Sequence, residues 1–245
     1  MSKIIHTKKL DVIRPQWDIN NISAFTTTVS SGYSSENTAD FGNRYINNNK
    51  QQVIKNISLL EYGLPNKIKL LKQIHSNKVM IADSLTYNNC YADAMFSKNT
   101  SVVCAVLTAD CVPILLTNKK SSFVAAIHAG WRGILKDIIR NTISVIDEKD
   151  IVAWIGPSIC KNCYEVKYDF RDNFVKKNNK FEKFFYYENN KIFLSLQELC
   201  GFILTQNFVS EIFYSNLCSY CDDRFFSARR DGDKAGRMIS CIWRI

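Results

Sequence analysis

The stretch Leu107–Gly133 reads LTADCVPILLTNKKSSFVAAIHAGWRG, and two apolar runs inside it each carry a reactive side chain. Leu107–Thr108–Ala109–Asp110–Cys111 leads into the run Val112–Leu116, and the run Phe123–Ile127 ends on His128, with Ala129–Gly130–Trp131–Arg132–Gly133 directly behind it. Near-continuous apolar runs of this length suit strands covered on both faces, and Val102–Leu107 is a third. The spacing of Leu135, Ile138, Ile139, Thr142 and Ile146 predicts one helix over Trp131–Ile146. A thiol and an imidazole at strand ends, with an arginine beside a helix start, make this stretch a candidate site.

Working outward, Ala24–Val29 reads as a strand, and residues 30–50 form a polar, Asn- and Ser-rich loop, long enough to be mobile or part of a site. Gln51–Tyr62 reads as a helix with Val53, Ile54, Ile57 and Leu60 on its apolar face, stopped by Gly63 and Pro65. Strands are expected at Ile68–Ile74, Ile151–Ile155, Glu211–Ser215 and Arg237–Ile242, while Val79–Ala82 resumes the apolar run and Tyr91–Phe96 follows a polar turn. A helix is expected within Tyr168–Lys177, and Ser195–Glu198 reads as a capping box opening another through about Thr205. Strands and helices alternate without repeat, linker or composition break. The expectation is a single α/β domain over residues 1–245.

The composition narrows the function. No apolar run reaches the roughly 18–20 residues that span a bilayer, so no membrane association is expected. The first residues, MSKIIHTKKLDVIRPQWD, show no signal-peptide pattern, so the expected location is cytoplasmic. The nine cysteines are then expected to be reduced and mostly packed as small apolar residues. A net charge of +9 suits anionic partners, and equally a lysine-rich solvated surface. No helix-turn-helix, RNA-recognition or zinc-finger pattern points to nucleic acid, and nothing points to an obligate protein partner.

Histidine is scarce, at positions 6, 75 and 128 only. His75, Cys111 and His128 together offer two imidazoles and one thiolate, a donor set that fits a catalytic zinc with an open water position. Each alone reads equally well as a hydrogen-bonded or packed residue, and the three lie far apart in sequence. Asp110 would orient a ligand, accept a proton or cap a turn. Arg132, between Gly130 and Gly133 at the helix start, would hold an anion such as phosphate or pair with a carboxylate. Trp131 would stack a base or pack in the core. Glu165 is a second candidate proton carrier. Arg229 and Arg230, close to Gly232, would bind phosphate or form a solvated turn. Two C-x-x-C pairs occur, Cys160/Cys163 and Cys218/Cys221. The 54 residues between them exceed the usual zinc-ribbon spacing, and no βαβ context supports thioredoxin-like redox chemistry. Neither a P-loop nor a dinucleotide fingerprint is present.

Taken in order, KQIHSNKV (72–79), YADAMFS (91–97), LTADCVPILL (107–116), AAIHAGWRGI (125–134), IGPSIC with CYEV (155–166) and FFSARRDGDKAGRM (225–238) resemble the YfiH-type family. That family is known both as laccase-domain or multicopper polyphenol oxidases and as bacterial purine nucleoside phosphorylases. The resemblance implies an α/β/β/α layered sandwich with mixed sheets, similar to the catalytic domain of cytotoxic necrotizing factor. It implies His75, Cys111 and His128 as zinc ligands, with copper as the alternative metal. It implies purine nucleosides and phosphate as substrates, by phosphorolysis of adenosine, inosine, guanosine and methylthioadenosine, together with adenosine deamination. Cys111, His128, Asp110 and Arg132 are then the expected catalytic residues. Arg44, Trp131, Glu165, Arg229 and Arg230 are the expected substrate contacts. The N-terminal loop departs from the family pattern, with Gly32–Tyr33 and Asp40–Phe41–Gly42 where a proline and Asn–Leu–Gly are usual. The alternatives are a laccase-like phenol oxidoreductase, a cysteine or zinc hydrolase editing peptidoglycan precursors (Cys111 attacking, His128 as base), and a non-enzymatic binding module.

Overall fold

Val112–Asn118 and Val124–Ala129 pair antiparallel, with Ile127 opposite Ile114 and His128 opposite Pro113. This hairpin is the centre of a six-stranded sheet in a computed structural model that describes residues 11–31, 40–41, 50–86, 88 and 90–245. The sheet runs Glu211–Tyr214, Ile151–Ile155, Val112–Asn118, Val124–Ala129, Ala94–Ser97, Val79–Ile81. Its two edge pairings are parallel and the inner ones antiparallel. A five-stranded sheet runs Val12–Ile13, Ile22–Thr27, Met238–Arg244, Val103–Thr108, Ile68–Lys69, parallel only at the last pair. The fold is thus mixed α/β with mixed sheets.

The strands are apolar on both faces because both faces are covered. Successive side chains alternate sides, so Leu115, Ala126, Trp154 and Met95 face the other sheet, meeting Cys104, Val106, Ala24 and Ile242. The opposite face of the six-stranded sheet, with Ile114, Ile127, Ala153 and Ile155, packs on Ile138, Ile139 and Ile146 of one helix and Leu199 and Leu204 of another. The outer face of the five-stranded sheet, with Phe25, Ala105, Ile239 and Trp243, packs on Ile57 and Leu60 of the helix Lys50–Tyr62. The layers therefore run helix, sheet, sheet, helices. Among the described residues no helix is long and apolar enough to cross a membrane.

Several expected elements change in detail. The predicted helix Trp131–Ile146 is two helices, Trp131–Leu135 and Ile138–Ile146. Asp137 interrupts them with a left-handed φ of 67°, a conformation Asp tolerates better than most residues, and its carboxylate pairs with Lys177. The break lets Ile134 and Ile138 both reach the core. Ile68–Ile74 splits between two sheets, as Ile68–Lys69 and Leu71–Lys72. In Lys50–Tyr62, Ile54 is exposed, and the buried position is taken by Asn56, which donates to the Asp40 carbonyl. The capping box of Leu196–Gln206 is half formed: Ser195 Oγ accepts from Glu198 N–H, while the Glu198 carboxylate turns to Tyr186 and Lys161.

Leu115 sits fully buried between the sheets, against Ala126 and Trp154 across its own sheet. Leu115→Ala is expected to cost about 2–5 kcal/mol of stability, through lost burial and the cavity left between two rigid layers. Urea denaturation checks this, and a loss below about 1 kcal/mol would contradict the inter-sheet packing.

Candidate metal centre

The chain crosses between the two sheets at Asp110. Val103–Thr108 belongs to the five-stranded sheet and Val112–Asn118 to the six-stranded one, and Asp110 makes the crossing with a φ of 84°. Cys111 therefore sits on the seam. His128 is the penultimate residue of the neighbouring strand Val124–Ala129. His75 follows Leu71–Lys72 with a left-handed φ of 55°. The Gln73 amide ties the His75 loop to the seam, donating to the Leu107 carbonyl at 2.8 Å and accepting from Leu107 N–H at 2.7 Å.

One ligand atom from each of His75, Cys111 and His128 lies within 4.8 Å of the others. Cys111 Sγ is 4.0 Å from His75 Nε2, and the imidazole rings meet edge to face with centroids 4.8 Å apart. Gly130 leaves room for this approach: a Cβ there would sit 2.9 Å from Cys111 Sγ and 3.0 Å from His75 Cδ2. Two imidazoles and a thiolate that one ion can touch together are a donor set for zinc or copper.

Both histidines are held by a residue not anticipated from sequence. Asp93 is completely buried, and its carboxylate accepts from His128 Nδ1 at 2.9 Å, His75 N–H at 2.9 Å, Ser76 N–H at 2.6 Å and Ser76 Oγ at 2.7 Å. Its carbonyl also accepts from His128 N–H at 2.7 Å. Burial works to raise the Asp93 pKa, but the donors from His128 and Ser76 hold it well below the usual carboxylate range. An ionised carboxylate only accepts, so His128 carries its proton on Nδ1 and turns Nε2 to the ligand position. Burial likewise works to raise the Cys111 thiol, but His128 and His75 bring it down to about 6. His128 shows the complement: burial opposes its charge, while Cys111 and Asp93 lift it to about 9.

The three donors open into a cavity of about 480 Å³ whose wall includes Lys72, Gln73, Leu107, Thr108 and Arg237. That volume lies within the roughly 300–1,000 Å³ of small-molecule sites. The Thr108 hydroxyl is buried and has no hydrogen-bond partner among the described residues.

The other expected site residues divide. Arg132 is exposed, stacks 4.2 Å over Trp131, and has no carboxylate partner among the described residues. Trp131 packs on Phe170 and the helix-side core. Arg229 lies 5.1 Å over the Tyr164 ring and donates to the Glu165 carbonyl. Tyr164 joins these groups to the centre: burial and the Cys111 charge raise its pKa, while Arg229 and Arg132 pull it down. Asp110 has both carboxylate oxygens engaged, by Ser219 Oγ at 2.6 Å and Arg229 N–H at 2.7 Å. Glu165 pairs with Lys191 at the surface. Arg230 donates to the carbonyls of Ser219, Tyr220 and Phe225 and pairs with Asp231, so its guanidinium holds a loop together. Arg44 and Gly42 lie outside the described residues. Asp93 had a signal in the sequence: it is a carboxylate set among Ala92, Ala94, Met95 and Phe96.

The two C-x-x-C pairs also meet. Cys160, Cys163, Cys218 and Cys221 bring their sulfurs within 4.8 Å of one another. The long sequence separation is no obstacle, because the pairs leave the same ends of adjacent parallel strands, Ile151–Ile155 and Glu211–Tyr214.

Two substitutions test the centre. Asp93→Asn is expected to weaken zinc binding about 10–100-fold, because the histidine ligands lose their orientation. Competition with a chromophoric chelator measures it, and an unchanged affinity would contradict the role of Asp93. Gly130→Ala is expected to push Cys111 and His75 apart and weaken zinc binding while the circular dichroism spectrum stays that of the parent protein.

Residues 23–245 match a family model described as multi-copper polyphenol oxidoreductase laccase. A purine nucleoside phosphorylase of Haemophilus influenzae is 35% identical over 250 residues, covering 96% of this chain and 99% of its own length. The purine nucleoside phosphorylase YfiH of Escherichia coli is 36% identical over 186 residues, covering 75% of this chain and 76% of its own length. Among solved structures, the Neisseria meningitidis protein NMB0706 superposes with a TM-score of 0.87 at 31% identity, over 95% of this chain and 98% of its own. The YfiH protein of Bacillus licheniformis gives 0.84 at 25% identity, over 92% of this chain and 94% of its own. The chain belongs to the YfiH-type, laccase-domain family.

Proposed function

We propose that the protein is a zinc-dependent purine nucleoside phosphorylase of the cytoplasm. Its substrates would be adenosine, inosine, guanosine and methylthioadenosine with inorganic phosphate, and it would also deaminate adenosine. The observation that carries this reading is the convergence of His75, Cys111 and His128 on one cavity of about 480 Å³. The names of the relatives support the reaction class.

Zinc, when bound by these three residues, supplies a Lewis acid that lowers the pKa of coordinated water to near neutrality. The remaining work falls to the chain's own groups. Asp93 fixes the Nδ1 proton of His128 and the backbone of the His75 loop. Arg132, unpaired with any carboxylate among the described residues, and Arg229 offer positive charge for phosphate as it attacks the ribose C1′. Asp110 holds the backbone of Arg229 and so sets where that charge lies. Trp131 and Tyr164 offer ring faces beside these cations.

A laccase reading has one observation in its favour, since two imidazoles and a thiolate are also a copper set. Multicopper oxidation of phenols calls for many more imidazoles, and the chain has three histidines in all. Oxygen uptake with a phenol by copper-loaded protein separates the two readings.

Incubation of the zinc protein with inosine or adenosine and phosphate is expected to yield free base and ribose 1-phosphate, with some inosine formed from adenosine. His128→Ala is expected to abolish turnover. Arg132→Ala is expected to raise the KM for phosphate more than that for nucleoside. Nucleosides left unchanged by the metal-loaded parent protein would overturn the reading.

A further inference from the structure

The four cysteines away from the cavity have no part in the chemistry above. Cys163 Sγ lies 3.0 Å from Cys221 Sγ and 3.6 Å from Cys160 Sγ, with all four sulfurs within 4.8 Å. A disulfide requires about 2.05 Å, and all four are free thiols. Zinc–sulfur bonds of about 2.3 Å in a tetrahedron place sulfurs roughly 3.8 Å apart, close to the spacing found here. Each pair sits on a tight C-x-x-C turn: Cys163 and Tyr164 N–H donate to the Cys160 carbonyl, and Asp222 N–H donates to the Cys218 carbonyl. The Cys160 N–H donates to the Cys218 sulfur at 3.3 Å, a donor that suits a thiolate rather than a packed thiol. Packed thiols in this protein look different: Cys104, Cys200 and Cys241 are wholly buried in apolar cores, whereas the cluster lies near the surface with Cys221 exposed.

We propose that Cys160, Cys163, Cys218 and Cys221 form a second metal site, a tetrathiolate centre that takes zinc. Four protein ligands close the coordination, so the site is structural and leaves no position for substrate. It clasps residues 156–166 to residues 215–227, two segments otherwise joined by the Ser158–Cys218 bridge and by Gln197, whose side-chain amide donates to the carbonyls of both Ser158 and Leu217. The clasp connects to the cavity through Asp110 and Arg229, chain neighbours of the lining residues Ala109, Cys111 and Ala228. Tyr164 follows Cys163 directly. Ser219, next to Cys218, donates to Asp110, whose other oxygen holds Arg229.

The test is the zinc content of the full chain, purified with zinc under reducing conditions and measured by native mass spectrometry. The expected result is a zinc ion that persists in His128→Ala and is lost in Cys163→Ser/Cys221→Ser. A cobalt-loaded protein is expected to show the intense visible absorption of a tetrathiolate, kept in His128→Ala and lost in the double variant. If the double variant does not fold, Cys221→Ser at the exposed position, together with His128→Ala, gives the same discrimination. Zinc absent from His128→Ala, or a Cys163–Cys221 disulfide in the reduced preparation, would overturn the proposal. The readout is independent of the reaction: a His75/Cys111/His128 site that fails to bind leaves the zinc of the four cysteines unchanged.

Discussion

The Asp93 carboxylate is the interaction on which the site depends. It is wholly buried, and it reaches two segments that the sequence holds apart: the imidazole of His128 and the loop amides of His75 and Ser76. A buried carboxylate without partners is costly, and breaking such an arrangement from one side costs about 3–5 kcal/mol. The same contacts that satisfy Asp93 also orient the two histidines. The left-handed φ of His75 makes sense in this light, because it lets the amides of residues 74–76 converge on one carboxylate.

The sheets supply the rest. Two layers packed face to face leave a seam where the chain passes from one to the other, and Cys111 stands at that passage. The rigid pairing of Val112–Asn118 with Val124–Ala129 sets Cys111 beside His128 without a flexible loop in between. Gly130 then admits His75 where a Cβ would crowd both its ring and Cys111. Arg229 stacks on Tyr164, which directly follows Cys163, and its backbone N–H is held by Asp110, next to Cys111, while Arg132 stacks on Trp131.

Much of this was legible in the residues. The runs at 112–116 and 123–127 read as doubly covered strands because nothing polar interrupts them, and they extend only a little further in the structure, to Val112–Asn118 and Val124–Ala129. With so few histidines, the donor set could be narrowed by chemistry alone. What stayed hidden depended on three-dimensional neighbours. Asp93 carries no site assignment in the sequence, because its partners lie 17 to 35 positions away. The break at Asp137 came from packing of Ile134 and Ile138, which periodicity does not reveal. The cysteine pairs seemed too far apart because spacing along the chain says nothing of parallel strands lying side by side.

Crystallographic anomalous scattering at the zinc edge, on the zinc-loaded protein, tests the central claim most directly. The account predicts a peak bonded to His75 Nε2, Cys111 Sγ and His128 Nε2, with Asp93 still bound to His128 Nδ1. Density for an intact, ordered cavity with no peak at these three atoms would contradict it.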